Sequence, residues 1–327
     1  MSIVLQPSTQ EDLSSNEETN LASGAESLLA AVVYADLFDY PLTIDDLLSY
    51  QVGTRLTHDE IYAALSIISP LREALNEDSG FYALRGREAT IGLRRARTAR
   101  SRRLWPRAWT YARIASYLPF VRCVAVTGAL AVENLGARPD IDLLVVAQCH
   151  RVWICRRSLI LLVRAARLLG DDLCPNYIIS VDNLTLDQRD FFTAHELAQM
   201  VPIVGREYYD RIISNNNWAL RYLPSAFDRP AKGVRKAHNG LPKSLLEAIL
   251  SRAIFDKWEA WELARMRRQL QPILGVAAEV VCSPSQCKGH TGLHRQSVLG
   301  KFVAALKSRN LYSALAVVEQ RLEDNVG

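Results

Sequence analysis

The chain has 327 residues, of which 49% are hydrophobic and 23% charged, so a disordered or fibrous protein is excluded and two or three globular domains are expected. The net charge of +4 hides an asymmetry along the chain. Residues 1–84 contain 14 acidic and 2 basic residues, residues 85–113 contain 10 arginines and 1 glutamate, and the remainder has a net charge of about +7. A polyanion should therefore approach the middle and C-terminal parts of the chain.

The sequence shows no sign of membrane insertion or export. Residues 1–22 are polar and rich in Ser, Thr and Glu, which predicts a disordered tail and not a signal peptide. The most apolar helical segment, 158–169, is short and contains Arg164 and Arg167, so it is not a membrane span. Six cysteines scattered through apolar sequence are typical of reduced thiols. We expect a cytoplasmic protein without a membrane partner.

Residues 23–86 predict three helices followed by a short hairpin, the outline of a winged helix. Thr43 and Thr57 are suited to N-cap the second and third helices, and Glu60 completes a capping box. The third helix begins with the acidic stretch 58–60, which phosphate groups would repel. We therefore expect this acidic unit to pack or to bind a protein partner, with a DNA-binding transcriptional regulator as the alternative.

A long arginine-rich helix is predicted over residues 88–115, with Pro106 as a possible kink. Two interpretations of its arginines are open. They form either a solvated face or a basic wall beside a phosphate-binding cleft, because ten like charges repel one another unless an anion lies nearby.

Strands and helices alternate in the next part of the chain. Strands are predicted at 121–128, 140–147 and 176–180, with a helix at 151–170, and this alternation indicates a mixed α/β domain. Further helices are predicted at 188–205, 206–223, 241–270 and 296–309. The predicted organisation is a disordered tail, a winged-helix unit, a basic connecting helix, an α/β core and a helical C-terminal lobe, at residues 1–22, 23–86, 87–118, 119–224 and 225–327.

The stretch AVTGALAVENLGARPDIDLLVV, residues 125–146, places two carboxylates in apolar strand sequence. Side chains alternate along a strand, so Asp140 and Asp142 point to one face and Ile141 to the other. Ionised carboxylates in such surroundings require a cation, and Mg²⁺ prefers hard oxygen ligands while leaving positions for phosphate oxygens. Gly128 is predicted to open a short helix whose amides favour a phosphate.

These residues resemble the signature of the polymerase-beta-like nucleotidyltransferase superfamily: a hydrophobic strand, a Gly-Gly or Gly-Ser turn, a spacer, and then Asp-x-Asp or Asp-x-Glu in a second strand. Thr127, Gly128 and Ala129 match the turn, ten residues follow, and Asp140 and Asp142 match the acidic pair. The resemblance covers about residues 120–182. It implies a nucleotidyltransferase-like mixed sheet within an α/β (α+β) protein.

The resemblance also implies an activity. An acceptor hydroxyl would attack the α-phosphorus of a nucleoside triphosphate, and Asp140 and Asp142 would hold Mg²⁺ or Mn²⁺. The acceptor could be RNA, a protein or a small molecule.

Two positions depart from the family pattern. Ala129 stands where a serine hydroxyl often contacts the triphosphate, and the strand expected to supply a third carboxylate offers Asn176, which cannot act as a base. Asp172 and Asp182 flank this strand and would substitute only if turned inward. A catalytically impaired nucleotide-binding protein is therefore an alternative function.

Basic residues elsewhere are candidates to bind the phosphates. Arg156 and Arg157 follow the aspartate strand by one helical turn, and Lys288, His290 and Arg295 form a cluster near the C-terminus. Packing on the protein surface is the alternative for the arginine pair, and an ordinary loop is the alternative for the cluster.

Two further constellations have competing interpretations. Cys282, Cys287, His290 and His294 provide the ligand types of a zinc site, although the cysteines are widely spaced. His195 with Glu196 could supply the missing base, or both could be structural. Trp258 and Trp261 are expected to lie in a core or an interface.

Overall fold

The computed structural model of the chain describes residues 10–228, 234–236, 240–271, 280–289 and 294–320. It contains both α-helices and a mixed β-sheet, which confirms the predicted α/β class at that coarse level. The chain forms two compact units. Unit 1 contains residues 1–93, 220–228 and 300–327, and unit 2 contains residues 94–219 and 229–299.

Unit 1 is helical apart from one antiparallel hairpin. Its elements are α1 (Gln10–Asp36), α2 (Ile44–Tyr50), α3 (His58–Ile67), α4 (Ser69–Ala74), β1 (Leu75–Asp78), β2 (Phe81–Leu84), the first residues of α5 (Ala89–Tyr117), the last residues of α12 (His294–Ser308), and α13 (Tyr312–Glu319). Thr43 and Thr57 cap α2 and α3 in complete capping boxes with Asp46 and Glu60, as the spacing of these residues leads one to expect.

The ends of the chain pack together within unit 1. The Glu26 carboxylate accepts hydrogen bonds from the backbone amides of Ser313 and Ala314, at 2.6 and 3.2 Å, and so caps α13. Tyr34 and Phe302 stack edge to face, with their ring centroids 5.0 Å apart. The last helices therefore belong with the N-terminal ones and not in a separate C-terminal lobe over 225–327, as predicted from the sequence.

Helix α1 begins within the range predicted as a disordered tail. It starts at Gln10, and residues 1–9 lie outside the described residues. Once the apolar segment that follows residue 24 has formed a helix, extending it by a further residue costs far less than starting a helix does. Polar composition alone therefore does not locate the start of this helix.

Unit 2 is built on a six-stranded mixed sheet in the order β6-β3-β4-β5-β8-β7. Its elements are the rest of α5, β3 (Val121–Thr127), α6 (Gly128–Ala131), β4 (Asp140–Ala147), α7 (Val152–Leu168), β5 (Asp172–Ser180), α8 (Phe191–Gln199), β6 (Val201–Val204), α9 (Arg206–Asn215), the first residues of a 3-10 helix (Asn217–Arg221), α10 (Leu241–Leu250), α11 (Ala253–Leu270), β7 (Val281–Cys282), β8 (Gln286–Lys288) and the first residues of α12. Strands β4 and β5 are parallel, and the other neighbouring strands are antiparallel.

One face of this sheet is covered by helices and forms the main core. Ile141, Leu143 and Val145 of β4 are fully buried there, together with Trp153 and Leu159 of α7. Residues of α5 and α11 complete the same cluster. By alternation, Asp140, Asp142 and Leu144 point to the opposite face of the sheet.

Several predicted helices are shorter than the sequence suggested. The segment predicted as one helix over 188–205 divides into α8 and the strand β6, which contains Pro202, a residue unable to continue a helix. The segment 241–270 breaks at 251–252 between α10 and α11. Residues 282–288, predicted as part of a loop, lie in the hairpin that β7 and β8 form.

No helix of the described residues has both the length and the apolar character needed to cross a bilayer. The six cysteines all lie within the described residues, and none of them forms a disulfide.

Candidate functional site

The two aspartates of β4 lie at the start of the strand, on the face opposite the main core. Thr127, the last residue of β3, is directly across from Asp142 in the antiparallel register. The turn that follows Thr127 is therefore held beside the aspartates. This juxtaposition is the one that the sequence spacing predicts.

Gly128 is in contact with the Asp142 carboxylate. It has a φ of +66°, a left-handed conformation that side chains disfavour, and a Cβ atom at this position would collide with Oδ2 of Asp142. Glycine is therefore required here for two reasons. The helix that it opens, α6, has four residues, so its dipole is small and contributes little to phosphate binding.

We expect Gly128→Ala to lower the free energy of unfolding by about 2 kcal/mol and to displace the Asp142 carboxylate. Two matched controls separate the effect of the positive φ from the effect of the clash with Asp142. Gly170 has a φ of +79° and open space around it, so Gly170→Ala should cost about 1 kcal/mol. Gly136 has open space and an ordinary φ, so its alanine variant should be nearly neutral. Equal losses in denaturant unfolding for Gly128→Ala and Gly170→Ala would argue against the contact.

Burial disfavours the ionised form of the Asp142 carboxyl group. Its pKa is raised to about 7, first by burial and then by the negative charges of Asp140 and Glu196, while a hydrogen bond from Cys174 acts in the opposite direction. A carboxyl group with this pKa is about half ionised at neutral pH. A cation held between Asp140 and Asp142 would restore the ionised form.

The neighbouring strand β5 places a thiol and a carboxylate beside the aspartates. Cys174 is in register with Asp142, and Asp172 is in register with Asp140. The register shifts after this point, around Pro175, and Asn176 therefore does not lie across from Asp142. Asp182 lies beyond the opposite end of β5, where its carboxylate accepts a hydrogen bond from the Cys149 thiol at 3.0 Å.

Helix α8 brings Glu196 towards the site and buries His195. Glu196 lines a cavity next to Thr127, and its charge contributes to the raised pKa of Asp142. His195 is buried against the Phe191 ring, and burial lowers the pKa of its imidazole to about 3. Of this pair, Glu196 is the residue that lines the cavity.

The cavity lies on the same face of the sheet as the aspartates. It is lined by Thr127, Asn176, Glu196 and Lys288 among others, and its volume is about 50 Å³. Pockets that enclose a small-molecule ligand usually have volumes of about 300–1,000 Å³. A nucleotide would therefore contact the rim of the cavity and would not fill it.

Lys288 and Arg295 of the predicted C-terminal basic cluster each have a partner in the segment before α8. The Lys288 ammonium donates a hydrogen bond to Gln188 at 2.9 Å and lies over the Tyr177 ring, at the cavity. Arg295 instead forms an ion pair with Asp190, the residue that caps α8. His290 lies outside the described residues.

Arg156 and Arg157 are not brought to this site. They belong to α7, which covers the core face of the sheet, and both lie 3.8 Å from the buried carboxylate of Glu262 on α11. Arg265 completes this cluster with a 2.6 Å ion pair to Glu262. Since Asp140 and Asp142 point to the other face, the structure supports the packing alternative for both arginines.

The arginines of α5 bind the segment that connects Gly128 to Asp140. Arg94 donates to the carbonyl groups of residues 132 and 133 at 2.9 and 3.1 Å, and Arg100 donates to those of residues 135 and 136 at 2.8 and 2.5 Å. Arg107 forms an ion pair with Asp171, which is buried. Part of the basic helix therefore holds the segment between Gly128 and Asp140 in place. Neither interpretation of its arginines from the sequence included this role.

The two cysteines of the proposed zinc site lie together on the core side of the sheet. Cys282 and Cys287 are paired across β7 and β8 and contact the main core, while Lys288, one residue on, faces the cavity. His294 begins α12, and the fourth ligand of that hypothesis, His290, lies outside the described residues. Within the described parts of the chain, no group of three or more His, Cys, Asp and Glu side chains is arranged to hold a metal ion.

Comparisons with a set of protein-family models, with curated proteins and with solved structures found no match to this chain.

Proposed function

We propose that the chain is a metal-dependent nucleotidyltransferase that moves a nucleoside monophosphate from a nucleoside triphosphate to a hydroxyl acceptor. The observation that carries the proposal is the contact between Gly128 and Asp142, on a strand where Asp140 and Asp142 share one face. This arrangement supports the resemblance of residues 120–182 to the polymerase-beta-like nucleotidyltransferases.

The donor set at the aspartates suits Mg²⁺ or Mn²⁺. Two carboxylates one strand repeat apart provide hard oxygen ligands, and the described residues add no third ligand, so water and phosphate oxygens would complete the coordination. A metal ion bound there would neutralise charge on the triphosphate and orient the attacking and leaving oxygens. Asp140 and Asp142 would hold that ion, with Asp142 fixed by Gly128.

We assign the role of general base to Glu196. It lies near Asp142 and lines the cavity beside Thr127, where an acceptor hydroxyl could approach. Its carboxylate can accept the proton of that hydroxyl, which the Asn176 amide cannot. Asp172 is the competing candidate, since it is in register with Asp140.

We expect Lys288→Met to weaken triphosphate affinity about tenfold, because the Lys288 ammonium lies at the cavity on the face of the aspartates. Methionine keeps an unbranched apolar side chain beside Tyr177. Arg157→Ala is the matched control and should leave the affinity unchanged, since Arg157 pairs with Glu262 on the other face of the sheet. Equal effects of the two substitutions in calorimetric titrations would contradict this placement.

The activity itself is tested by pyrophosphate release. Purified protein is incubated with each nucleoside triphosphate, Mg²⁺, and in turn RNA, protein and small-molecule acceptor pools. The proposal expects release that requires an acceptor and is abolished by Asp140→Asn. Release that persists in that variant would show that the activity belongs to a contaminant or to another site.

A second candidate function is nucleotide binding without turnover. The residue directly across from Asp142 on β5 is Cys174, whose thiol pKa is raised to about 11 by burial and by the nearby aspartates. A thiol in that state is a poor metal ligand and a poor base. Metal-dependent binding of a triphosphate with no pyrophosphate release would favour this function.

The role of the helices in unit 1 stays a prediction. The sequence outline of a winged helix and a protein partner for its acidic surface are compatible with the hairpin and the capped helices. Helix α3 begins with acidic residues, which disfavours contact with DNA phosphates.

A further inference from the structure

A pocket with a basic wall lies at the end of the unit 2 sheet where β4 and β5 begin, and its volume is about 250 Å³. Helix α5 contributes Arg100, Arg103 and Arg107 to its wall, and the starts of the two strands contribute Ile141 and Asp172. Ile141 belongs to the core face of the sheet, whereas the two aspartates of β4 point to the other face. This pocket, which we call the arginine pocket, is therefore separate from the aspartate site.

The helical repeat brings the three arginines of the arginine pocket to one side of α5. Residues three and four apart lie on the same side of a helix, and positions 100, 103 and 107 follow that spacing over two turns. Helix α5 has no acidic residue, so no carboxylate of its own pairs with these guanidinium groups. The pocket therefore receives its positive charge from one helix.

Two of the three guanidinium groups are held in place by the protein. Arg100 donates through one nitrogen to the carbonyl groups of residues 135 and 136, at 2.8 and 2.5 Å. Arg107 forms an ion pair through one nitrogen with the buried carboxylate of Asp171. A guanidinium has five N–H donors, so both groups keep donors for a further acceptor. Because the partners of Arg100 are neutral carbonyl groups, they leave its charge uncompensated.

The third arginine, Arg103, is exposed, and the described residues provide it with neither a hydrogen bond nor an ion pair. Two carboxylates line the same pocket: Asp171 is paired with Arg107, and Asp172 is 3.9 Å from Arg167. Counting Arg167, four positive and two negative charges surround the pocket, which leaves a net charge of +2. An anion is therefore the ligand that this charge favours.

We propose that the arginine pocket binds a phosphate group. The planar guanidinium matches the spacing of phosphate oxygens, and three guanidinium groups can donate to several oxygens of one phosphate. The pocket is smaller than those that enclose a whole small-molecule ligand, so it takes one group of a larger molecule or a small phosphate compound. Such a group can come from the backbone of a single-stranded polynucleotide or from a small phosphorylated molecule.

The test is the binding of two probes to the full chain in EDTA, which removes divalent ions from the aspartate site. One probe is a fluorescent single-stranded RNA of about ten nucleotides, followed by anisotropy, and the other is inorganic phosphate, followed by calorimetry. Arg103→Gln should weaken binding about tenfold through loss of a charge-assisted hydrogen bond. Arg113→Gln is the matched control and should bind like the wild type. Arg113 is exposed on the same helix, has no side-chain partner among the described residues and does not line the pocket.

Asp172→Asn should change the affinity in the opposite direction. It removes a negative charge from the wall of the arginine pocket, so the same probe should bind more tightly than it binds the wild type. Asp172 is exposed, and its one ion pair is the 3.9 Å contact with Arg167, so the substitution should leave the fold intact. Weaker binding by this variant would contradict a phosphate beside Asp172.

The two probes also identify the source of the phosphate. RNA binding that falls steeply with salt and depends on Arg103 indicates a polynucleotide backbone, whereas Arg103-dependent binding of inorganic phosphate without RNA binding indicates a small phosphorylated molecule. Three outcomes would overturn the proposal: neither probe binds the wild type, binding survives Arg103→Gln, or binding is lost equally in Arg113→Gln. Because EDTA is present throughout, these results do not depend on metal-dependent nucleotidyl transfer at the aspartates.

Discussion

Asp142→Asn should make the metal-free protein more stable at pH 8, by on the order of 4 kcal/mol, and should leave its stability at pH 4 nearly unchanged. The reason is that burial and the neighbouring carboxylates raise the pKa of Asp142 to about 7 in the folded protein. In the unfolded chain the same group has an ordinary pKa near 3.9.

The direction of the effect follows from proton binding. Because the folded protein holds the Asp142 proton more tightly, the stability from this group is complete below about pH 4 and is lost as the pH rises through about 7. Asparagine does not titrate, so the variant avoids this loss. Urea unfolding at pH 4, 6 and 8 measures the difference. A wild type whose advantage grows with pH would contradict the buried carboxylate pair.

The same variant tests whether Mg²⁺ binds at Asp142. Mg²⁺ should stabilise the wild type more at pH 8 than at pH 6, since the ion binds only the ionised carboxylate. It should stabilise Asp142→Asn little at either pH. Asp210→Asn, on α9 and paired with Arg206, is a control that should respond to Mg²⁺ like the wild type. Stabilisation of all three proteins to the same degree would place the Mg²⁺ elsewhere.

Glu196→Gln should lower the rate of nucleotidyl transfer at least a hundredfold, the usual loss when a general base is removed. Metal-dependent triphosphate binding should be kept, because Glu196 is not assigned as a metal ligand. Loss of its charge should also lower the pKa of Asp142, since that charge is one cause of the raised value. The Mg²⁺ response should consequently extend to lower pH.

Asp172→Asn is the control for the assignment of the base. Asp172 is exposed and lies 3.9 Å from Arg167, so its removal should reduce the rate less than tenfold. Single-turnover rates at saturating triphosphate measure both variants. If Asp172→Asn is the slow one, the base lies on β5 and not on α8.

Strand β4 was predictable from the sequence because its alternation of apolar and polar residues agrees with its position in the sheet. The alternation around Ile141 and Leu143 requires a strand with one buried face. The glycine turn at the end of β3 is separated from β4 by ten residues, which lets the two strands pair as antiparallel neighbours. Sequence alone therefore identified Gly128, Asp140 and Asp142 as a group, and the structure brings them together.

The rest of the site depends on contacts that no local pattern encodes. The start of β5 was missed because Pro175 disfavours a central strand, so Cys174 and Asp172 were not placed beside the aspartates. The direction of Arg156 and Arg157 is set by Glu262, more than a hundred residues later. The positions of the Lys288 and Arg295 side chains likewise depend on Gln188 and Asp190, about a hundred residues earlier in the chain.

The most direct test of the proposed site is calorimetric titration of the protein with each nucleoside triphosphate, with and without Mg²⁺, for the wild type and Asp140→Asn. We expect micromolar binding of at least one triphosphate that requires both the ion and Asp140. Binding that is unaffected by the substitution, or the absence of binding by every triphosphate, would contradict a metal and triphosphate site at Asp140 and Asp142.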